Sequence, residues 1–155
     1  GNTALIDTIY LALNRMHSAR NARKALFIVS DGMDNNSRYS KAELLRAVPE
    51  QDVQIHTLGI AARSPGKKPV ELVEESRGLA LMTDLAEQSG GLNFTVVNAE
   101  DIPPATTKIG RAIRDQYVVG YRPASQHDSG KWRSIQVKVT VPQLRAYARK
   151  GYYAN

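Results

Sequence analysis

The chain has 155 residues, 42% of them hydrophobic, a net charge of +6 and no cysteine. That length suits one domain with a real core. The missing cysteines exclude disulfides, thiolate zinc and a cysteine nucleophile, and no apolar run reaches the roughly 18 residues of a membrane-spanning helix.

The charge is unevenly placed. Residues 1–130 carry 15 basic and 15 acidic side chains, whereas Lys131, Arg133, Lys138, Arg145, Arg149 and Lys150 follow with no acid among them. Such a tail suits either an anionic partner, such as nucleic acid or a charged surface, or a strand face kept soluble by positive charge. The second use is the commoner one and is preferred over nucleic acid.

In chain order, Thr3 is placed to cap a helix whose apolar positions Leu5, Ile9, Ala12, Leu13 and Met16 follow helical spacing. Asp7 lies in its first turns, where negative charge suits the helix dipole. No signal-peptide pattern precedes it. Leu26 to Val29 is an unalternating apolar run, the pattern of a strand covered on both faces of a parallel sheet. Ser30, Asp31, Gly32, Asp34, Asn35 and Asn36 follow it and offer several oxygen donors where ligands gather in open α/β sheets, beyond the strands' carboxyl ends. Ser40 and Glu43 form a capping box for a short helix through Val48, stopped by Pro49.

Val53 to Ile60 reads as a second strand, with His56 in its middle. Ala61 to Arg77, with Ser64, Pro65 and Gly66, is expected to be a long surface loop holding at most a helical turn. Leu79 to Ser89 reads as a helix ended by Gly90 and Gly91, and Leu92 to Val97 as a third strand. A last helix starts around Pro103, with Ile102, Ile109, Ala112 and Ile113 facing inward. This alternation specifies parallel strands layered with helices, an α/β fold.

After Asp115 the character changes. Gln116 to Tyr121 is strand-like, Ile135, Val137, Val139 and Val141 alternate with polar residues, and a final strand is expected near Arg145 to Arg149. Residues 1–115 are thus expected to form the α/β body and 116–155 an antiparallel β appendix packed on it.

Two stretches together resemble a known family. Asn2-Thr3-Ala4-Leu5-Ile6-Asp7 after Gly1, followed by Ile28-Val29-Ser30-Asp31-Gly32-Met33-Asp34-Asn35, is similar to the second half of a von Willebrand factor A (VWA) domain. Gln116-Tyr117-Val118-Val119-Gly120-Tyr121 with Arg149-Lys150-Gly151-Tyr152 resembles the acidobacterial branch of that family. The resemblance implies a partial Rossmann-like three-layer sandwich with the β appendix. It also implies a magnesium ion held at the top of the sheet by an Asp-x-Ser-x-Ser loop, a threonine and an aspartate. By position Thr3 matches the threonine and Asp31 the aspartate, with Ser30, Asp34 and Asn35 in the supporting loop. No Asp-x-Ser-x-Ser occurs in these 155 residues, so the site is expected to be incomplete in this chain, which resembles a VWA domain lacking its first strands.

The implied role is non-enzymatic, adhesion-type protein binding to a partner's carboxylate, in an exported protein. The alternative is a basic α/β scaffold holding an anionic polymer through its C-terminal strands. The edge of the strand at Leu26 to Val29, where the family has its first strand, is expected to be bare, and self-association is expected through that edge or through apolar helix faces left uncovered. Enzymatic activity finds no support: no Gly-x-Ser-x-Gly elbow is present, His17 and His56 have no second histidine or carboxylate at ligand spacing, and His127 lies in a polar loop.

Overall fold

The computed structural model describes residues 2–21, 23–61, 66–123 and 130–154. Gly1, Ser64, Pro65 and His127 lie outside them. Four α-helices are present among the described residues: α1 (Leu5–His17), α2 (Lys41–Ala47), α3 (Pro69–Ser89) and α4 (Ile102–Arg114). Three strands, β1 (Ala25–Ser30), β2 (Gln54–Ile60) and β3 (Asn93–Val96), form a parallel sheet in the order β1-β2-β3. A separate antiparallel pair joins β4 (Trp132–Ser134) to β5 (Gly151–Tyr153). The fold is the α/β sandwich that the alternation specified.

Side-chain alternation along β2 divides the core between the two faces of the sheet. Ile55 packs into the larger cluster with Ile9 and Leu13 of α1, Leu44 of α2, and Met82 and Leu85 of α3. Leu58, three residues on and therefore on the opposite face, packs with Val96 and with Ala105 of α4. Three layers result, but one outer layer is thin, since α4 alone covers the second face among the described residues.

Two polar side chains of β2 are fully buried. Thr57 is buried and donates its hydroxyl to Asn93 Oδ1 at 2.7 Å. His56 is fully buried, and the Leu92 N–H donates to its Nδ1 at 3.0 Å. Nδ1 is thereby the acceptor, and the protonated Nε2 faces Gln54 Oε1 at 3.2 Å. Burial holds the imidazole below its ordinary pKa, since charging it would require desolvation. This histidine is a structural link between β2 and the start of β3.

Three sequence expectations need correction. Residues 69–77 are not loop: α3 begins at Pro69 and runs unbroken to Ser89. The pattern concealed it because Val70, Leu72 and Val73 point to solvent while Glu75 is buried. Pro69 at the first turn and Glu71, whose carboxylate accepts from the Lys68 N–H at 3.0 Å, are the start signals. Secondly, neither Gln116–Tyr121 nor Ile135–Val141 is a strand. The alternation of Ile135–Val141 is right for a sheet face, yet no described strand pairs with either run, and Tyr117, Val118 and Val119 are almost wholly exposed. Thirdly, the final strand is not near Arg145 to Arg149 but at Gly151–Tyr153.

The appendix rests on the end of α3. The Lys150 N–H donates to the Gln88 carbonyl at 3.1 Å, and Lys150 Nζ pairs with Glu87 at 2.7 Å.

Because unfolded histidine takes up a proton near pH 6.5 and buried His56 does so only at lower pH, the unfolded chain binds more protons in that window. Stability is expected to fall as pH drops below about 6.5 and to level off once the native imidazole also titrates. Urea unfolding across pH 4–8 reads this slope, and His56→Gln is expected to flatten it.

Candidate functional site

The loop from Asp31 to Ser40 leaves the carboxyl end of β1 and is held from two sides. On one side, Gly32 has φ +82°, and its backbone lies against that of α3. A Cβ on Gly78 would stand 1.7 Å from the Gly32 carbonyl oxygen, and one on Gly32 would stand 2.8 Å from the Leu79 nitrogen. Only two glycines allow this approach. Beside it, Glu75, 7% exposed, is matched by Lys67 at 2.6 Å.

On the other side the loop supplies what α1 lacks. The first N–H groups of a helix have no intrahelical acceptor. Asp34 Oδ1 accepts from the Leu5 N–H at 2.8 Å, and Ser37 Oγ accepts from the Asp7 N–H at 3.2 Å. The favourable meeting of a carboxylate with the positive end of the helix dipole adds to this bond. Asn35 and Asn36 both donate backbone N–H to the Thr3 carbonyl at 3.0 Å, and Asn35 Oδ1 accepts from the Thr3 N–H at 2.9 Å. Asp7 returns the contact, its Oδ1 accepting from Arg38 and Tyr39 N–H groups at 2.9 and 3.0 Å. Tyr10 and Tyr39 stack over it with ring centres 4.2 Å apart.

Thr3 was expected to cap α1 through its own side chain. The cap residue is Ala4, without a side-chain bond, and Asp34, 29 residues away from Leu5 in sequence, does the capping. Thr3 is exposed, and it is its backbone N–H and carbonyl that bond the loop at Asn35 and Asn36. Asp31 is exposed too, and its Oδ1 accepts from the Met33 N–H at 3.1 Å, closing a local turn. Ser30 Oγ likewise accepts from the Gly32 N–H at 3.1 Å. The loop therefore ties Thr3 to its Asn35 end, with Asp31 four residues earlier, and no hydrogen bond joins Thr3 to Asp31.

As a magnesium site this donor set is partial. Asp31 offers one carboxylate oxygen not engaged by the turn, and Thr3 offers a hydroxyl, whereas magnesium takes about six oxygens in an octahedron. Among the described residues no group of three or more His, Cys, Asp or Glu side chains gathers anywhere. Asp34 and Asn35 are engaged in holding α1. The residues present do not by themselves fit the ion.

No protein-family model and no curated protein sequence matches the chain. Among solved structures, the crystal structure of conserved hypothetical protein BatB from Bacteroides thetaiotaomicron is similar at 16% identity and a TM-score of 0.49, over 74% of this chain. This chain spans 60% of the length of that one. A likeness at this level decides nothing about function, and the fold rests on the sheet and helices described above.

A second feature was not legible in the sequence. An open cleft of about 500 Å³ lies where Arg23, Lys24 and Ala25 at the start of β1 meet Ile113, Arg114 and Gln116 at the end of α4. Some 90 residues separate its two walls, so no local pattern announces it. On the appendix, Tyr121 donates its hydroxyl to Tyr152 at 2.8 Å, which holds the Tyr121 proton above the usual phenol range. The Arg149 guanidinium lies 5.6 Å from the Tyr152 ring centre, in cation–π range.

Asp34→Ala is expected to lower stability by about 1–2 kcal/mol, the usual cost of losing a helix cap. Thr3→Ala is expected to change it by no more than about 0.5 kcal/mol. Gly78→Ala, which forces α3 away from the loop, is expected to cost about 1–3 kcal/mol. Gly110→Ala, whose added Cβ meets only Arg114 Nη1 at 4.0 Å, is expected to stabilise by up to about 1 kcal/mol. Chemical denaturation of the four variants checks all of these.

Proposed function

We propose that the chain is a non-enzymatic protein-binding module of the adhesion type, VWA-like, with a divalent-cation-dependent site that is complete only in a longer protein. In that protein Thr3 and Asp31 contribute two oxygen donors, Ser30, Asp34 and Asn35 hold the loop, and an Asp-x-Ser-x-Ser segment supplies the rest. A bound magnesium ion would offer an open position to a carboxylate of the partner. The observation that carries the reading is the exposed Asp31 carboxylate at the carboxyl end of β1, on a loop clamped between two helices. Clamping suits ligand positioning, because a donor held by backbone contacts keeps its place when the ligand leaves.

Export to the periplasm or beyond accompanies this role. No helix among the described residues is long and apolar enough to cross a membrane. Self-association is a further expectation, since β1 lies at the sheet edge with Phe27 and Val29 exposed.

A second reading has its own observation, the six cations and no acid of residues 131–155. It makes the appendix a basic scaffold for an anionic polymer. It ranks second because Lys150 is turned back onto Glu87 and Arg149 onto Asp52, at 2.7 and 3.6 Å.

Magnesium calorimetry tests the first reading. The 155-residue chain is expected to give little or no binding heat, and a longer version carrying an Asp-x-Ser-x-Ser loop ahead of Gly1 is expected to bind, with the heat lost on Asp31→Ala. Absence of binding in both ends the cation reading. Binding to an anionic polymer that ignores chelator and falls steeply with salt would install the second.

A further inference from the structure

The chain has seven tyrosines, and five of them follow Asp115. Two of those five meet through their hydroxyls. Tyr121 Oη donates to Tyr152 Oη at 2.8 Å, across 31 residues of sequence. The ring centres are 6.4 Å apart and the planes stand at 72°, so the rings approach by their hydroxyl-bearing ends and not by their faces. The carbons ortho to each oxygen therefore lie beside the contact. Tyr10 and Tyr39 make the contrast, stacked at 17° with centres 4.2 Å apart, which sets ring face on ring face.

The two rings are held in different ways. Tyr152 stands in β5 opposite Arg133, and the Arg149 guanidinium over its ring limits the ring's movement. Tyr121 stands in a stretch that joins no described strand. That stretch is tied at its start by Gln116, whose Nε2 donates to Gln54 Oε1 at 2.5 Å. The phenol bond links its other end to β5. Because donating this bond holds the Tyr121 proton above the usual phenol range, the donor is a neutral phenol near pH 7. Tyr121 is 60% exposed, open to an oxidant arriving from solvent.

We propose that Tyr121 and Tyr152 are a dityrosine cross-linking site, joined ortho carbon to ortho carbon by a haem peroxidase acting with hydrogen peroxide. Each phenol gives one electron to the oxidised haem and one proton to water, leaving two phenoxyl radicals. Their ortho carbons form a C–C bond, and the hydrogen on each of those carbons moves to the ring oxygen, which restores both phenols. The two electrons and two protons reduce one peroxide to two waters, so the joined rings carry two hydrogens fewer than the separate ones. A radical on one ring finds its partner in place, and coupling within one chain outruns the encounter of two chains. The link closes a covalent loop between the stretch after α4 and β5, and it stabilises by restricting the unfolded chain.

The test is independent of the cation reading because it runs in EDTA. The dilute 155-residue chain is treated with a haem peroxidase and hydrogen peroxide, and its monomer is isolated by gel filtration. Blue dityrosine fluorescence is read, and tryptic peptides are mapped by mass spectrometry. Trypsin leaves residues 115–131 in one peptide, since Pro123 follows Arg122, and residues 151–155 in another. The monomer is expected to fluoresce and to yield these two peptides joined, two hydrogens lighter, with fragment ions placing the bond on Tyr121 and Tyr152. Tyr121→Phe and Tyr152→Phe, which keep the ring and remove only the hydroxyl, are each expected to abolish the joined peptide. Tyr117→Phe, Tyr147→Phe and Tyr153→Phe are expected to retain it. Fluorescence confined to dimers, a bond mapped to other tyrosines, or a joined peptide that persists in either of the first two variants overturns the proposal. So does a monomer without dityrosine.

Discussion

The loop after β1 owes its shape to the unsatisfied N–H groups that begin α1. A helix start facing a loop must find acceptors, because a buried or half-buried N–H without one costs about as much as a lost hydrogen bond. Asp34 and Ser37 provide them, and Asn35 binds the residue just ahead. The exchange is reciprocal, since Asp7 accepts N–H groups from the loop's far end. With Gly32 pressed on Gly78 from behind, the segment carrying Asp31 is held between two helices. It is a local turn in sequence and a three-body contact in space.

The sheet is less evenly supported. Both of its faces are apolar, as parallel strands require, but α1, α2 and α3 crowd one face while α4 covers only the part of the other over β2 and β3. Leu26 and Ile28 are therefore packed, and Phe27 and Val29, between and beyond them, are not. The exposure of Phe27 and Val29 follows from this asymmetry. The clamped loop lies at the carboxyl end of the same strand.

The appendix is held differently from the body. Its two short strands pair with each other, and Trp132 meets Tyr153 edge-on at 5.1 Å. Its ties to α3 include one backbone hydrogen bond and an exposed ion pair, the latter worth at most about 1 kcal/mol. Val137, Val139, Val141 and Leu144 stay exposed. Such an exposed alternating run is a surface awaiting cover.

The sequence by itself determined the α/β class, the three parallel strands, and the capping box at Ser40 and Glu43. It did so because each depends on local terms: a run of apolar residues, a reach of three residues, a glycine after a helix. Asp31 was legible as an oxygen donor beyond the end of a buried strand, but its pairing with Thr3 as metal ligands came only from the resemblance. Tertiary structure alone decided that Asp34 and not Thr3 completes α1, since the helix start takes whichever acceptor packing brings closest. It decided that α3 begins at Pro69, where Glu75 is buried beside Lys67 against the expected polarity. It also decided that Ile135 to Val141 is not a strand. A strand is a pairing, and alternation states which face would be buried without supplying the partner that buries it.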